Sequence, residues 1–550
     1  MALSLRAEQK NITDLFNSGE DIYVIPEYQR PYSWNKDTTY QLYSDITSHF
    51  LDNEDYFVGN IIMARGQEER KRPNIVDGQQ RLITLWIWIK VLTVLHPNKS
   101  RINRLLTVES LLSDNILPRI DSKVFEHDDQ QNIEDVKSFT KDDFEKEWND
   151  KVNSKGDISE QKTSRIEANA LYLYKWMKEF YENLGNDKKK CEDFLQYFLE
   201  KVYLLPIELG GNDINEASDR ALTIFETLNN RGQLLEDSDI FKARLYKSAK
   251  QDGKENEFIE QWLDFNSVCS ELHMTVDELF RYYYHILRAE EGQTTNEGSL
   301  REYLTKDSNS ALSVKPYKNI VDDLSNITNI LQWMSAPSKM DKKIARYVQL
   351  LGQYTNQYPR YALVNYLFVE GFEDKFKLER FLRAIVRYYY YRGATLQVKY
   401  ETYRINKLVA NHQNIPKYDC SDIEPEYFNH LGLLRNGYAL LAHYLLYKDS
   451  YEENIFFDKI VFSRDSKYLD DDWKNVDVED IKNNIANIVV LDMPKKTLNI
   501  PAKATYYSKS ELKDVRSIFA EGVIYQYARF CKREKRLKNA LMAFFKDIES

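Results

Sequence analysis

Hydrophobic and polar positions change their period along the chain. In the first hundred residues, short apolar runs rich in β-branched residues alternate with amphipathic patterns. Runs of the first kind are typical of strands and the others of helices. The pattern predicts strands at 22–25, 57–64 and 74–76, and helices at 5–17, 37–50 and 80–96.

Farther along, the pattern predicts a division into three parts. Residues 127–167 form a polar, charged stretch, which we interpret as an insertion or mobile connection within a domain spanning 1–250. A strand is expected at 202–209, with helices at 216–229 and up to 248. Residues 251–453 carry repeated three-and-four apolar spacing, which predicts a helical domain. Residues 454–550 form a third part, with a strand at 488–491 and a basic helix at 525–545. We therefore expect an α+β domain followed by a predominantly helical region, mostly α overall.

Composition removes several protein classes. With 550 residues the chain is long enough for three or four domains, and only 18 glycines and 13 prolines argue against an all-β or low-complexity chain. No apolar run approaches a membrane span, and the first residues lack a signal-peptide core, so no membrane partner is expected. The four cysteines lie far apart without a CxxC pair, which fits a reducing cytoplasm. A net charge of −10 means that nucleic acid would need a local basic patch.

The segment Ile75–Leu85 holds the most informative polar cluster. A strand leads directly into Asp77-Gly78, and a helix follows at once. The free backbone N–H groups at a helix N-terminus favour anions, and the guanidinium of Arg81 suits phosphate. Asp77 is placed to hold a divalent cation or to orient a water. Alternatively, Asp77 only caps the helix and Arg81 pairs with a carboxylate.

Two further segments carry candidate chemistry. Residues 25–34 place Arg30 among Tyr28, Tyr32 and Trp34, an arrangement that can stack on a base or bind phosphate, or can simply fill the edge of the domain. Residues 221–242 place polar side chains at the end of one helix and the start of the next, where they can close a ligand pocket or remain solvated. The polar residues of this third segment are Glu226, Asn229, Asn230, Arg231, Asp239 and Lys242.

Weaker candidates for DNA contact lie near the middle and the end of the chain. Arg387 and Arg392 flank a run of four tyrosines, and Lys532 and Arg533 begin the densest basic run. Such residues can line a DNA groove, although a packed helical bundle or a solvated helix face gives the same pattern. No histidine lies at metal-ligand spacing from a cysteine or acidic pair, so no zinc site is expected.

Three motifs in this order resemble the N-terminal domain of the GmrS/GmrD-type, modification-dependent (type IV) restriction family. They are a DGQQR box at 77–81, an IPxYQRxYxW loop at 25–34 and an FExLNxRG element at 225–232. The resemblance covers about residues 1–250. It implies a ParB/sulfiredoxin-like fold that binds and hydrolyses a nucleoside triphosphate with Mg²⁺ or another divalent cation. It also implies sensing of modified phage DNA.

The same resemblance suggests roles for individual residues. Asp77, Gln79, Gln80 and Arg81 would be catalytic, with Asp77 also holding the metal. Nucleotide would be bound by Tyr28, Gln29, Arg30, Gly78, Asn229 and Arg231. Independently of the resemblance, the residue types of Tyr32 and Trp34, together with the basic residues named above, make them weak candidates for DNA contact.

The C-terminal part departs from the fused form of this family. Residues 484–499 faintly resemble the later half of a His-Asn-His-like nuclease, but the eight histidines of the chain end at His443, so the general base is missing. We therefore expect either a nucleotide-dependent sensor that works with a separate nuclease subunit or a family member whose own nuclease domain, at 454–550, is degenerate. A homo-oligomer is a further expectation. The alternatives are a non-hydrolytic, ligand-gated DNA-binding scaffold and a nuclease that nicks DNA through the ParB-like core.

Overall fold

The computed structural model describes residues 5–67, 70–109, 116–159, 163–229, 236–306, 310–393, 396–447 and 453–546. The chain divides into two compact units, Met1–Ile259 and Glu260–Ser550. The strands of the first unit are β1 Leu5–Ala7, β2 Lys10–Asn11, β3 Tyr23–Ile25, β4 Tyr56–Gly66, β5 Asn74–Asp77, β6 Thr107–Glu109, β7 Ile116–Pro118, β8 Ile120–Ser122 and β9 Val202–Gly211.

The helices of the first unit pack on both sides of a sheet. They are α1 Ile12–Phe16, α2 Lys36–Asp52, α3 Gln79–Leu95, α4 Asp129–Ser138, α5 Lys141–Lys151, α6 Arg165–Asn183, α7 Lys188–Lys201, α8 Ile214–Asn229 and α9 Asp237–Gln251.

The central sheet is mixed. Its order is β1-β9-β4-β5-β3-β8, with β2 pairing to β9 beside β1. The pairs β4–β9, β3–β5 and β3–β8 are parallel, whereas β5 runs antiparallel to β4. A small core formed with α8 covers one face, and α3 lies in the large core of this unit. The helix α3 is apolar on every side and is therefore buried over most of its length. This burial holds the N-terminal end of α3 in place at the end of β5.

The second unit is mainly helical. Its helices are α10 Glu255–Glu271, which crosses the boundary between the units, α11 Val276–Glu290, α12 Leu300–Thr305, α13 Ala311–Val314, α14 Tyr317–Ser335, α15 Lys342–Gly352, α16 Tyr358–Glu370, α17 Lys375–Arg392, α18 Leu396–Ala410, α19 Arg435–Leu446, α20 Ile500–Tyr507, α21 Lys513–Ser517 and α22 Tyr527–Phe545. The antiparallel strands β10 Phe456–Lys459 and β11 Ile488–Leu491 pair with each other and contribute to a separate apolar core near the C-terminal end. The predicted fold class, an α+β domain followed by helices and mostly α overall, is confirmed.

One local prediction is wrong. Residues 5–17 were expected to be one helix, but only Ile12–Phe16 is helical, because β1 and β2 pair with the edge of β9. The stretch 127–167, which was expected to be an insertion or mobile connection, contains α4 and α5, whose Ile133 and Phe144 are fully buried in the main core. A few well-spaced apolar residues thus join this charged stretch to the core.

Candidate functional site

The turn between β5 and α3 is held in an unusual backbone conformation. Gly78 precedes the helix with φ +87°, and a Cβ there would lie 2.9 Å from the carbonyl oxygen of Asn60 and 3.0 Å from Cγ1 of Ile61. Only glycine combines this left-handed φ with so close an approach to β4. Gly78 itself is the N-cap, so no side chain caps the helix and Asp77 does not have the capping role considered above. We call residues 77–81 the elbow.

The glutamines of the elbow hold the neighbouring loop. The side chain of Gln79 donates from Nε2 to the carbonyl oxygen of Arg30 at 2.8 Å. Oε1 of Gln80 accepts from the backbone N–H of Ser33 at 2.8 Å, and Nε2 of Gln80 donates to the carbonyl oxygen of Pro31 at 3.0 Å. Both glutamines are buried. Their amides therefore fix the loop, while the catalytic role predicted for them stays a prediction.

The loop is tied to the elbow from its own side as well. Gln29 donates from Nε2 to the carbonyl oxygen of Val76 at 3.1 Å. Residues 26–34, which we call the aromatic loop, are therefore fixed to the end of β5 and the start of α3. The elbow glutamines bond to backbone groups of the loop, and Gln29 adds a bond through its own side chain, so both partners hold the loop in place.

Arg81 and Asp77 face each other at the mouth of the elbow. Their closest charged atoms are 3.9 Å apart, and about a third of each side chain is exposed. Nη1 of Arg81 donates to the carbonyl oxygen of Asn60 at 3.0 Å, and its guanidinium lies beside Gly59, where a Cβ would be 3.5 Å away. A guanidinium has five N–H donors, so this anchoring leaves donors for an anion.

The electrostatics of Asp77 follow from partial burial. Burial raises the pKa of this carboxyl group, while the charge of Arg81, a backbone hydrogen bond from Gly78 and the charge of Arg30 lower it. A carboxylate flanked by two arginines at a helix N-terminus lies in a positive environment. The arrangement suits a ligand that carries several negative charges.

Arg30 connects the elbow to the start of α9. Its charge also acts on Asp239, whose pKa is raised to about 6, mainly by burial. Nearby, Lys242 is buried and bonds to Glu126 at 2.5 Å, and its Nζ lies 3.5 Å from the carbonyl oxygen of Gln29. The structure thus brings Asp239 and Lys242 to the aromatic loop, as the third segment suggested. Sequence reasoning missed Glu126, which no motif marks.

Two buried acceptor oxygens lie in the same region. Within the described part of the chain, Oε1 of Gln79 and Oδ2 of Asp239 accept no hydrogen bond although both are buried. Buried oxygens of this kind are normally satisfied by a water, a donor or a cation. Among the described residues, no group of three or more His, Cys, Asp or Glu side chains is arranged for a metal. Mg²⁺ bound with a nucleotide usually needs only one or two protein carboxylates, and the charge of Arg30 acts on both Asp77 and Asp239.

Tyr28 points to a different face of the sheet. It lines a cleft of about 240 Å³ whose walls come from α8, α9 and the ends of β3 and β5. Burial raises the pKa of Tyr28 to about 12, although its hydrogen bond with Ser218 opposes the shift. Its ring lies 6.0 Å from that of Tyr246. Tyr28 therefore belongs to the cleft next to the elbow.

The aromatic residues predicted to touch DNA lie inside the domain. The hydroxyl of Tyr32 is 2.8 Å from that of Thr84 and accepts from Nδ2 of Asn169 at 3.0 Å, and the side chain is buried. Trp34 is partly buried against the main core. This corrects the DNA-contact prediction for Tyr32, because its ring and hydroxyl are both used in packing the loop.

The basic candidates of the second unit fall into two groups. Arg387 is buried and donates from Nη2 to the carbonyl oxygen of Phe545 at 2.5 Å. Arg533 forms a 2.5 Å ion pair with Asp514, with a tenth of its side chain exposed. Neither projects from the surface as the DNA-contact prediction required. Arg392 and Lys532 are exposed.

Part of the predicted nucleotide site lies outside the described residues. Arg231 and Asn230 are both outside the described residues. The backbone of Asn229 ends α8, but its side chain and that of Glu226 are not described. Their predicted roles stay predictions.

The C-terminal strands and α20 surround a buried charge pair. Lys503 is fully buried, 3.7 Å from Oδ2 of Asp458, and donates to the carbonyl oxygen of Ile460 at 3.1 Å. Tyr507 donates to the same carboxylate at 2.8 Å. Burial lowers the pKa of Lys503 to about 8. These groups satisfy one another, which is typical of a packed interior.

Comparison with known families gives a match over the first part of the chain. Residues 12–246 match the model of the GmrSD restriction endonuclease, N-terminal domain, and the match includes all three motifs. The resemblance of this domain to the GmrSD-type, type IV restriction enzyme family is thereby confirmed. No curated protein matches the chain significantly.

The family supports a role in restriction of modified DNA and defence against phage, with DNA as a partner. In the described part of the chain, no helix has both the length and the apolar character needed to cross a membrane.

Proposed function

We propose that this chain is the nucleotide-dependent sensor component of a modification-dependent restriction system. The observation that carries the proposal is the elbow, in which a glycine-capped helix N-terminus is flanked by Arg81, Arg30 and the half-buried Asp77. Unpaired backbone N–H groups and a helix dipole bind phosphate well, and two guanidinium groups add directed donors. A nucleoside triphosphate is the ligand class that best uses all of these groups.

Each residue then has a separate role. Arg81, anchored on the backbone of Asn60, and Arg30, at the tip of the aromatic loop, would bind phosphate oxygens. Asp77 would hold Mg²⁺ that arrives with the nucleotide, or orient the attacking water, and Asp239 is a second candidate ligand. The metal, when bound, would neutralise the negative charge that develops on the phosphate oxygens. Arg231 and Asn229 remain proposed contacts to the nucleotide.

Gln29, Gln79 and Gln80 are proposed as positioning residues. They fix the aromatic loop to the elbow through bonds of 2.8–3.1 Å, which places the Arg30 guanidinium close to Asp77. An amide cannot serve as a general base near neutral pH. Their loss should therefore weaken nucleotide binding through Arg30.

Nucleotide state would control how the second unit engages modified phage DNA. Cleavage would come from a separate nuclease subunit, because the chain has no histidine after His443 and its Lys503–Asp458 pair is buried. A cytoplasmic location would fit such a role.

Phosphate release from the purified full chain with Mg²⁺ and nucleoside triphosphates tests the proposal. Asp77→Asn and Arg81→Ala should each reduce turnover about 100-fold or more, as expected when a directed transition-state contact is removed. Arg101→Ala removes an exposed arginine of the same unit and should leave turnover unchanged. Unchanged turnover in both elbow variants would refute the site. Nucleotide binding without turnover in the unmodified chain would instead favour the non-hydrolytic scaffold.

A further inference from the structure

The second unit contains a cleft that the elbow chemistry does not use. It lies between α16, α17 and the segment that follows α18, and its volume is about 490 Å³. Among the residues that the structure describes, those lining the cleft include five lysine or arginine side chains and one carboxylate, that of Glu370. Nδ1 of His412 lies 2.7 Å from Oε1 of Glu370. In a chain whose net charge is −10, this is a local concentration of positive charge.

The basic residues follow one face of α17. Lys377, Arg380, Arg383 and Arg387 are spaced by three, three and four residues, which keeps them within one side of a helix. Ten residues of helix span about 15 Å. Lys417 adds a cation from the opposite wall. The positive charge therefore forms a stripe rather than a point.

The stripe runs from the rim of the cleft to its floor. Lys377 is 63% exposed and Arg380 is also exposed, whereas Arg387 is buried and fixed to the backbone of Phe545. The ring of Phe381 on the floor stacks on Tyr366 at 4.0 Å between centroids. The aromatic floor is tightly packed, so the aliphatic parts of the arginine side chains have little conformational freedom. This reduces the conformational entropy that is lost when a ligand binds.

We propose that this cleft, which we call the α17 cleft, binds the phosphodiester backbone of DNA. A single small anion needs one or two cations, whereas the accessible part of the stripe, about 9 Å from Lys377 to Arg383, suits successive phosphates of a strand. Contacts to phosphates do not depend on the base sequence. The cleft would therefore hold DNA in place while another part of the protein recognises the modification. The inference rests on the proposed role in DNA restriction, but it does not require nucleotide hydrolysis.

The salt dependence gives the expected size of the effect. With four phosphate contacts, from Lys377, Arg380, Arg383 and Lys417, raising salt from 50 to 200 mM should weaken duplex binding by about 150-fold. Removing two of the contacts should reduce this factor to about 12-fold.

Fluorescence anisotropy of the full chain with a labelled 20-bp duplex, its single strand and a labelled poly-glutamate peptide tests the inference. The double variant Lys377→Glu/Arg380→Glu should weaken DNA binding at least tenfold and flatten the salt dependence. The matched control Lys474→Glu/Lys482→Glu changes the net charge equally at exposed sites outside the cleft and should bind within twofold of the unmodified chain.

Several outcomes would overturn the inference. Equal losses in the two double variants would mean that only overall charge matters, and no loss in the cleft variant would remove the site. Binding of the acidic peptide but of neither DNA would assign the cleft to an acidic protein partner. Phosphate release measured on the same samples separates this question from the elbow, because the cleft variant should keep normal turnover even if DNA binding fails.

Discussion

Replacing Gly78 by alanine should destabilise the first unit, because both the backbone conformation and the space at this turn require glycine. An alanine must take φ +87°, which costs about 1–2 kcal/mol. Its Cβ would also lie 2.9 Å from the Asn60 carbonyl oxygen on the central strand β4, and overpacking of this kind costs about 1–3 kcal/mol. Since β4 is held on both sides, the strand cannot move away cheaply. The expected total is about 2–5 kcal/mol.

Gly185→Ala is the matched control for this change. Gly185 has a similar φ of +76°, but nothing lies within 4 Å of the position of a Cβ. It should therefore cost only the backbone term of about 1–2 kcal/mol. Hydrogen exchange of peptides from β5 and α3 measures the opening free energy of this unit in both variants. Equal losses would refute the close approach of Gly78 to β4, and with it the reason for glycine in the elbow.

Three further predictions concern buried charges. Glu126→Gln should destabilise the first unit by about 3–5 kcal/mol, because Lys242 would remain buried without this partner, and adding Lys242→Met should restore most of the loss in denaturant titrations. Burial raises the pKa of Asp239 to about 6, so the neutral form is favoured in the folded state. Stability should fall by up to about 3 kcal/mol as pH rises from 4 to above 6, and Asp239→Asn should abolish this slope. The pKa of Asp514 is lowered to about 2, because Arg533 and Arg536 outweigh its burial. Its contribution of about 2 kcal/mol should be lost as pH falls from 4 to 2, which acid unfolding of Asp514→Asn checks.

Each of these three predictions can be contradicted by a specific measurement. A double variant no more stable than Glu126→Gln would show that the pair is not coupled. A pH slope that persists in Asp239→Asn would assign it to another group. Identical acid unfolding of the Asp514→Asn variant and the unmodified chain would mean that the ion pairs contribute nothing measurable.

Local patterns in the sequence located the central strands and several helices of the first unit. The alternation of apolar residues located β3, β4, β5 and β9, and Asp77-Gly78 marked the start of α3. These elements are predictable because their apolar positions are periodic and because the turn at Gly78 requires glycine. The three motifs also indicated the domain family that residues 12–246 match.

Long-range contacts could not be read from the sequence. The short strands β1 and β2 form because β9 offers an edge, and α4 and α5 join the core through a few apolar residues within a charged segment. The roles of Gln79 and Gln80 depended on which loop passes their amides. Burial of Tyr32, Arg387 and Arg533 likewise depended on distant partners.

The sequence by itself indicated the resemblance of the first part of the chain to a known domain family, the central strands and the polar residues of the elbow, because those depend on neighbours a few positions apart. Only the tertiary structure showed that Gln79 and Gln80 hold the aromatic loop in place. It also placed Glu126 beside Lys242 and brought Lys417 into the same cleft as the cations of α17. The physical reason is that burial and charge pairing are set by chain segments that lie far apart in sequence.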